Sequence, residues 1–276
     1  MKTIENRPAA IQGHSEFGMA TFGGAELQWG ETRRLWAVNR APGYTSRRPA
    51  AFLPAIPQEE ANEALRRDFA DLVRHFECLP LDNYLRNGAT FRYRRFGRYA
   101  LRAAQPLARP DWLADRLYFQ SESINNYAGG IQRRFEPLGD ELAVNAYLLD
   151  LIVGLFNLMP LADRELHEHW EAGVHPTRVV GSASEAGYGA PEGLHQDGHV
   201  FASTVLIGRR NVNGGDSIFA DPSKVIFWQR PLLNPGDAVL WRDAACWHDV
   251  TEILPESPHR SAVRDIVGIS FNPLRS

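Results

Sequence analysis

From about residue 173 onward the chain is written in short β-branched and apolar runs separated by turn-forming residues, a pattern that leaves little room for helix. The runs cover residues 174–180, 200–207, 225–228, 238–241, 250–254 and 265–271. Between them lie Asn213-Gly214-Gly215-Asp216, Asp221-Pro222, Asn234-Pro235-Gly236-Asp237 and a proline-bounded stretch over 255–258. These residues supply positive φ, fix φ, or hydrogen-bond their own backbone. Short strands at this spacing belong to a sandwich or a barrel. The expected fold class is therefore α+β with a mainly β core: a double-sheet jelly roll over about 173–276.

Upstream, the spacing changes to helical. Residues 57–76 carry Glu59 and Glu60 in a first turn and Ala64, Leu65, Phe69, Leu72, Val73 and Phe76 at helical intervals. A second helix is expected over 140–159 and a third over 163–169. The apolar stretch 147–159 contains Asp150 and stops at Pro160. It is too short to cross a bilayer and reads as a buried helix. Residues 1–50, rich in Gly, Arg and Pro, read as an irregular N-terminal arm. Residues 51–276 then form one domain, helical over about 51–172, supporting the jelly roll.

Composition removes several function classes. A net charge of -3 over 276 residues gives no basic excess to hold a phosphate backbone, so no nucleic-acid partner is expected. Cys78 and Cys246 are too few for a disulfide framework or a cysteine-based zinc site, which fits a reducing, cytoplasmic setting. The first dozen residues lack the apolar run of a signal peptide, and no membrane partner is expected.

The chemistry concentrates in Pro191-Glu192-Gly193-Leu194-His195-Gln196-Asp197-Gly198. Two residues apart in extended chain, His195 and Asp197 project to the same face. A facial iron site needs two neutral imidazoles and one carboxylate on one side of the metal, leaving the opposite positions open. His248, beside another expected strand, supplies the second imidazole. The bland alternative is a surface turn, since a lone H-x-D recurs by chance. The flanking glycines, the β-rich context and the downstream histidine and arginine favour the metal. His167-Glu168-His169 is a decoy: on a helix its two histidines point about 200° apart. His175 reads as a structural histidine at the start of a strand, with a place on a cavity wall as the alternative. His199 shares the parity of His195 and Asp197 and is a candidate for the layer behind the metal.

A dicarboxylate chelating such a metal through a 2-oxo acid needs a cation for its far end, and the arginine fork suits a carboxylate. Arg264 opens the last run, and alternation puts Arg264, Ile266, Gly268 and Ser270 on one face, the last two small enough to leave room. Arg260, in an expected loop, is the competitor.

These residues resemble the bacterial 2-oxoglutarate/Fe(II) dioxygenase family that includes the free L-isoleucine 4-hydroxylase. The resemblance rests on Pro191-Glu192-Gly193-x-His195-x-Asp197-Gly198, Asn211-x-x-Gly214-Gly215, His248-x-x-Thr251-x-Ile253 and Arg264-Asp265, with weaker echoes at Arg94-Arg95-Phe96-Gly97 and Arg133-Arg134-Phe135. It covers about residues 80–272 and is strong from 190 onward. Asp216 stands where the resemblance leads one to expect glutamate. What it implies is a double-stranded β-helix binding Fe(II), with 2-oxoglutarate and O2 as co-substrates and hydroxylation of an aliphatic C–H as the reaction. His195, Asp197 and His248 would be the ligands and Arg264 the anchor, with Thr251 helping to hold the co-substrate unless it is simply a sheet threonine. The implied substrate is a small molecule, a free L-amino acid. Arg178 and Glu192 are candidates for its two charged ends, as are Arg94 or Arg134 from upstream. A carrier-bound or peptidyl amino acid, or a non-redox cupin-like metal protein, stays open as an alternative.

Overall fold

The computed structural model describes residues 19–22, 25–29, 35–39, 58–105, 108–113, 117–119, 130 and 132–274. The chain begins with strands β1 (Met19–Phe22), β2 (Ala25–Trp29) and β3 (Leu35–Asn39), then helix α1 (Gln58–Phe76). Short strands follow: β4 (Arg92–Arg94), β5 (Gly97–Arg102), β6 (Asp111–Leu113), β7 (Leu117–Phe119) and β8 (Gln132–Arg134). Helices α2 (Asp140–Ala143), α3 (Ala146–Leu158) and α4 (Leu161–Arg164) lead into the long strands β9 (His169–Gly181) and β10 (Phe201–Arg210). Then come β11 (Val212–Gly214), β12 (Asp216–Ala220), β13 (Ile226–Pro231) and β14 (Ala238–Arg242). The last strands are β15 (Trp247–Val250), β16 (Ile253–Pro255) and β17 (Ala262–Pro273).

The large sheet runs β1-β2-β3-β14-β10-β17-β9-β5-β6, with β4 also paired to β9. A smaller sheet, β13-β12-β15, and the pair β11-β16 make the second layer. Phe219 of β12 meets Trp241 of β14 with ring centroids 5.1 Å apart, which closes one layer on the other. The central order β9-β17-β10-β14 sets strands far apart in sequence side by side and antiparallel, so the chain must alternate between the two layers. That winding is the double-stranded β-helix, or jelly roll.

Alternation along β17 shows how one strand serves two surfaces. Arg264, Ile266, Gly268 and Ser270 line the cavity between the layers. Val267, Ile269 and Phe271 join the core that α1 and α3 cover on the other side. Helix α3 is buried on nearly every face, as its apolar sequence requires. The continuous helix expected over 140–159 is cut in two because Asn145 caps the second piece. Its side-chain oxygen accepts from the Leu148 N–H at 3.0 Å, while its amide donates to the Asp68 carbonyl at 2.8 Å. No described helix is long and apolar enough to cross a membrane.

Several expectations need correction. The expected helix over 163–169 ends at Arg164, and His169 already opens β9. The run 250–254 is two strands, β15 and β16, and β12 follows directly on the glycine turn. The part expected to be helical, 51–172, holds β4 to β8 as well. The arm over 1–50 supplies three strands that extend the large sheet through β3 and β14, while its remaining residues lie outside the described ones.

Arg178 is also not where the substrate expectation needs it. It has the parity of Val174 and Pro176, so it leaves β9 on the helical side. There its guanidinium makes a two-bond contact with Asp265 (2.7 and 2.9 Å) and another with Glu77 just beyond α1 (2.7 and 2.9 Å). Removing Arg178 strands the buried Asp265 carboxylate. Arg178→Ala should therefore lose about 3–5 kcal/mol of unfolding free energy in urea titrations. Glu77 is held down to about 2 from 4.5, first by its hydrogen bonds to Arg178. A depressed carboxylate stabilises the fold fully above its unfolded value and loses that effect as pH falls toward its folded value. The stability gap between wild type and Glu77→Gln should accordingly be constant above pH 4.5 and close toward pH 2.

Candidate metal centre

Two backbone hydrogen bonds set the imidazoles side by side. The His195 N–H donates to the His248 carbonyl at 3.0 Å, and the His248 N–H donates back at 2.9 Å. Residues paired this way across antiparallel chain project to the same side, and the two ring centroids lie 4.2 Å apart. Asp197, one residue removed from His195, returns to that side. Its oxygens lie 3.6 Å from His195 Nε2 and 3.3 Å from His248 Nε2. Donors at right angles around an ion with bonds of about 2.1 Å sit about 3 Å apart, so the three side chains fit one first-row metal. One ligand atom from each lies within 4.8 Å of the others, the only such group found among the described residues.

The surroundings set the tautomer and charge of these side chains. His195 Nδ1 lies 2.7 Å from the Gly193 carbonyl, an acceptor, so Nδ1 carries the proton and Nε2 offers its lone pair inward. Gly193 takes φ +73°, a conformation that glycine adopts without strain. Without metal, burial opposes a charged His195, but Asp197 and Glu192 outweigh it and lift its pKa to about 9. Burial likewise pushes Asp197 up, and the two imidazoles outweigh it and hold the carboxyl well below the usual range.

Asp243, only 1% exposed, accepts the backbone N–H groups of Asp197 (3.1 Å), Gly198 (2.7 Å) and His199 (3.2 Å). Gln196, pointing the other way, donates to the carbonyls of Asp243 and Cys246. Asp243 therefore fixes the turn that presents Asp197. Sequence reading did not single it out, because its hydrogen-bond partners are backbone groups that carry no residue signature.

A cavity of about 190 Å³ adjoins the three candidate ligands. Arg264 reaches into it from β17, 2% exposed. Its Nε and Nη2 have no hydrogen-bond acceptor among the described residues, and burial pushes the guanidinium down to about 10. The Gly214-Gly215 turn makes space for it. A Cβ on Gly215 would sit 3.1 Å from Arg264 Cδ, and one on Gly214 would strike the Glu252 carbonyl at 2.1 Å. Arg260, the competitor, is exposed.

Other expected residues sort by parity. Glu192 lines the cavity, with an oxygen 3.5 Å from His195 Nε2. Thr251 does not line it: its hydroxyl accepts from the Asp216 N–H at 2.9 Å, so it buttresses the turn and is misplaced as a co-substrate contact. Arg178 faces the helices. Arg94 lines the cavity, but Arg134 is exposed, and its buried neighbour Arg133 is the one that lines it. His175 and His199 are on the wall as well, together with Tyr118, which sequence reading missed.

Two outcomes test the ligand set. His195→Ala and His248→Ala should lose iron retention on desalting while keeping the wild-type circular dichroism. Asp243→Asn, which exchanges an acceptor for a donor behind the turn, should weaken iron binding about ten- to hundred-fold in competition titrations.

A family model described as 2OG-Fe dioxygenase matches residues 73–270. No curated protein matches the chain. Among solved structures, a bsmA homolog from Methylobium petroleophilum PM1 superposes with a TM-score of 0.63 at 28% identity, covering 75% of this chain and 82% of that one. IDO from Bacillus thuringiensis gives 0.58 at 20% identity, covering 79% and 89%. The Fe(II)/(alpha)ketoglutarate-dependent dioxygenase TqaL gives 0.56 at 19%, covering 80% of each chain. The latter two likenesses speak for the fold alone. The family match spans well over half of the sequence and includes every member of the histidine–aspartate–histidine group, and on that ground this chain belongs to the 2OG-Fe dioxygenase family.

Proposed function

We propose that this enzyme hydroxylates an aliphatic C–H bond of a free L-amino acid, with His195, Asp197 and His248 holding Fe(II) and Arg264 holding the far carboxylate of 2-oxoglutarate. The observation that carries this reading is the placement of Arg264: a buried guanidinium with unmatched donors in the same cavity as the three candidate ligands. An unmatched buried donor is costly, and a carboxylate supplies the missing acceptors in a bidentate geometry.

When bound, Fe(II) with 2-oxoglutarate and O2 supplies the oxidising chemistry that places one oxygen atom in the substrate and leaves succinate and CO2. The protein's residues do the rest. Asp197 neutralises one of the two metal charges, and the imidazoles none, so the centre keeps a positive charge that attracts the 2-oxo acid end of the co-substrate. Arg264 fixes the other end, and Gly268 and Ser270 keep the floor between them low. Glu192, beside His195, would receive an ammonium group. A small zwitterion offers little contact area, so opposite charges at two fixed points must decide which carbon faces the metal.

The test is a panel of L-amino acids assayed for 2-oxoglutarate-dependent succinate and for a product 16 Da heavier, the mass of one oxygen. At least one free amino acid should give both nearly one to one. Hydroxylation of carrier-bound or peptidyl forms only would overturn the substrate class and leave the co-substrate assignment standing. Arg264→Ala should raise the 2-oxoglutarate requirement at least about ten-fold, the loss of one charge-assisted contact, with Arg264→Lys in between. An unchanged requirement would remove Arg264 from its role.

A further inference from the structure

A second set of unmatched donors belongs to residues that line the same cavity, away from Arg264. Strand β4 places two arginines, Arg92 and Arg94, on the cavity wall. Arg92 is matched: its Nε donates to Asp82 at 2.9 Å and its Nη1 to the Gly189 carbonyl at 3.0 Å. Arg94 is not. Asp82 lies 3.7 Å from its Nη1, and its buried Nε has no acceptor among the described residues.

The second donor follows from tautomer logic. Arg94 Nη2 contacts His175 Nδ1. A guanidinium nitrogen only donates, so Nδ1 accepts and the proton of the neutral ring must be on Nε2. Burial, followed by the charge of Arg94, keeps the His175 pKa well below its ordinary value, so the neutral ring is the form present at pH 7. Its Nε2–H is buried and has no acceptor among the described residues, on a residue that lines the cavity. Both side chains are held rigidly. Phe96 stacks on His175 at 4.5 Å, and the Arg94 guanidinium lies 4.2 Å over Phe135. Burial pushes Arg94 down only to about 10, so it keeps its charge at pH 7.

Two fixed N–H donors on contacting side chains, Arg94 Nε–H on a cation and His175 Nε2–H, therefore have no acceptor among the described residues. 2-Oxoglutarate on Arg264 does not account for them. His175 is in register with Gly268, four residues along β17 from Arg264 and so about 13 Å away along the strand. We propose that Arg94 and His175 bind a carboxylate of the substrate, so that this enzyme takes small molecules bearing a free carboxyl group and rejects those in which it is an amide or thioester. This rests on the dioxygenase reading above and narrows it. Of the two charged ends of an amino acid, the anionic one goes to β4 and β9 and the cationic one to Glu192.

The experiment measures binding, not turnover. The twenty proteinogenic L-amino acids are titrated anaerobically into the Fe(II)–2-oxoglutarate enzyme, following both the visible charge-transfer band and the heat of binding. Each amino acid that binds is then compared with its carboxamide. Wild type should prefer the acid at least thirty-fold. Arg94→Gln should bring that preference below three-fold by weakening the acid and not the amide, with 2-oxoglutarate affinity within two-fold of wild type. His175→Phe, which keeps the stacking and removes the donor, should lower the preference in part. A purely structural lesion would weaken acid, amide and 2-oxoglutarate together, and that result would overturn the proposal. So would equal binding of acid and amide by wild type, an unchanged preference in Arg94→Gln, or no binding by any free amino acid. Absence of the band from wild type would overturn the dioxygenase reading and this inference with it. A normal band with unchanged preference would overturn the inference alone.

Discussion

A strand between two layers has only two faces, and every position given to the cavity interrupts the packing against the helices. Strand β17 resolves that conflict by strict alternation. Arg264, Ile266, Gly268 and Ser270 turn inward, while Val267, Ile269 and Phe271 are buried under α1 and α3. Strand β9 does the same with His175 and Thr177 inward and Val174 and Arg178 outward. A shift of one residue in either strand would put Arg264 and His175 into the hydrophobic core and expel the aromatic side chains from it. The register between β9 and β17 thus holds the core and the site together.

The helical layer acts as the backing that keeps this register. Its apolar contribution comes from α3, buried on nearly every side, and its polar contribution from the Arg178 group. Arg178, Asp265 and Glu77 tie β9, β17 and the end of α1 at one point. Asp265 follows Arg264 directly in the chain, so the pair that locks the strand from behind also fixes the backbone from which Arg264 enters the cavity. Neighbours of opposite charge thereby serve opposite faces: Asp265 closes a structural ion pair with Arg178, and the Arg264 guanidinium keeps Nε and Nη2 without acceptors among the described residues.

The cavity itself is a place where burial works against charge. Arg94 and Arg264 are both pushed down by desolvation, and His175 is kept neutral. The scaffold around the first and last of these is aromatic and close-packed, with Phe135 under the Arg94 guanidinium and Phe96 stacked on His175. Asp243 shows the complementary arrangement at the metal end, where a buried carboxylate is satisfied by three backbone N–H groups and so shapes the turn without taking a ligand position.

Which parts of this could be read from the sequence follows from how local their physics is. Turn chemistry and period-two runs are properties of neighbouring residues, so the jelly-roll class, the inward face of β17 and the shared side of His195 and Asp197 were all legible. The strands β4 to β8 were not. In β4 and β8 the inward positions hold arginines, Arg92, Arg94 and Arg133, which erase the apolar alternation that marks a strand. Arg178, which flanks the metal motif, and Thr251, through the family resemblance, were expected as ligand contacts, but the parity of β9 turns one to the helices and the Asp216 N–H claims the other. The pairing of Arg94 with His175 spans 81 residues, and that of Arg178 with Asp265 spans 87. The sequence by itself determined the alternating strands and the metal-ligating residue types. Only the tertiary structure decided which charged side chains are neutralised and which stay open, because a guanidinium's partner is set by strand register across the sheet and by no spacing along the chain.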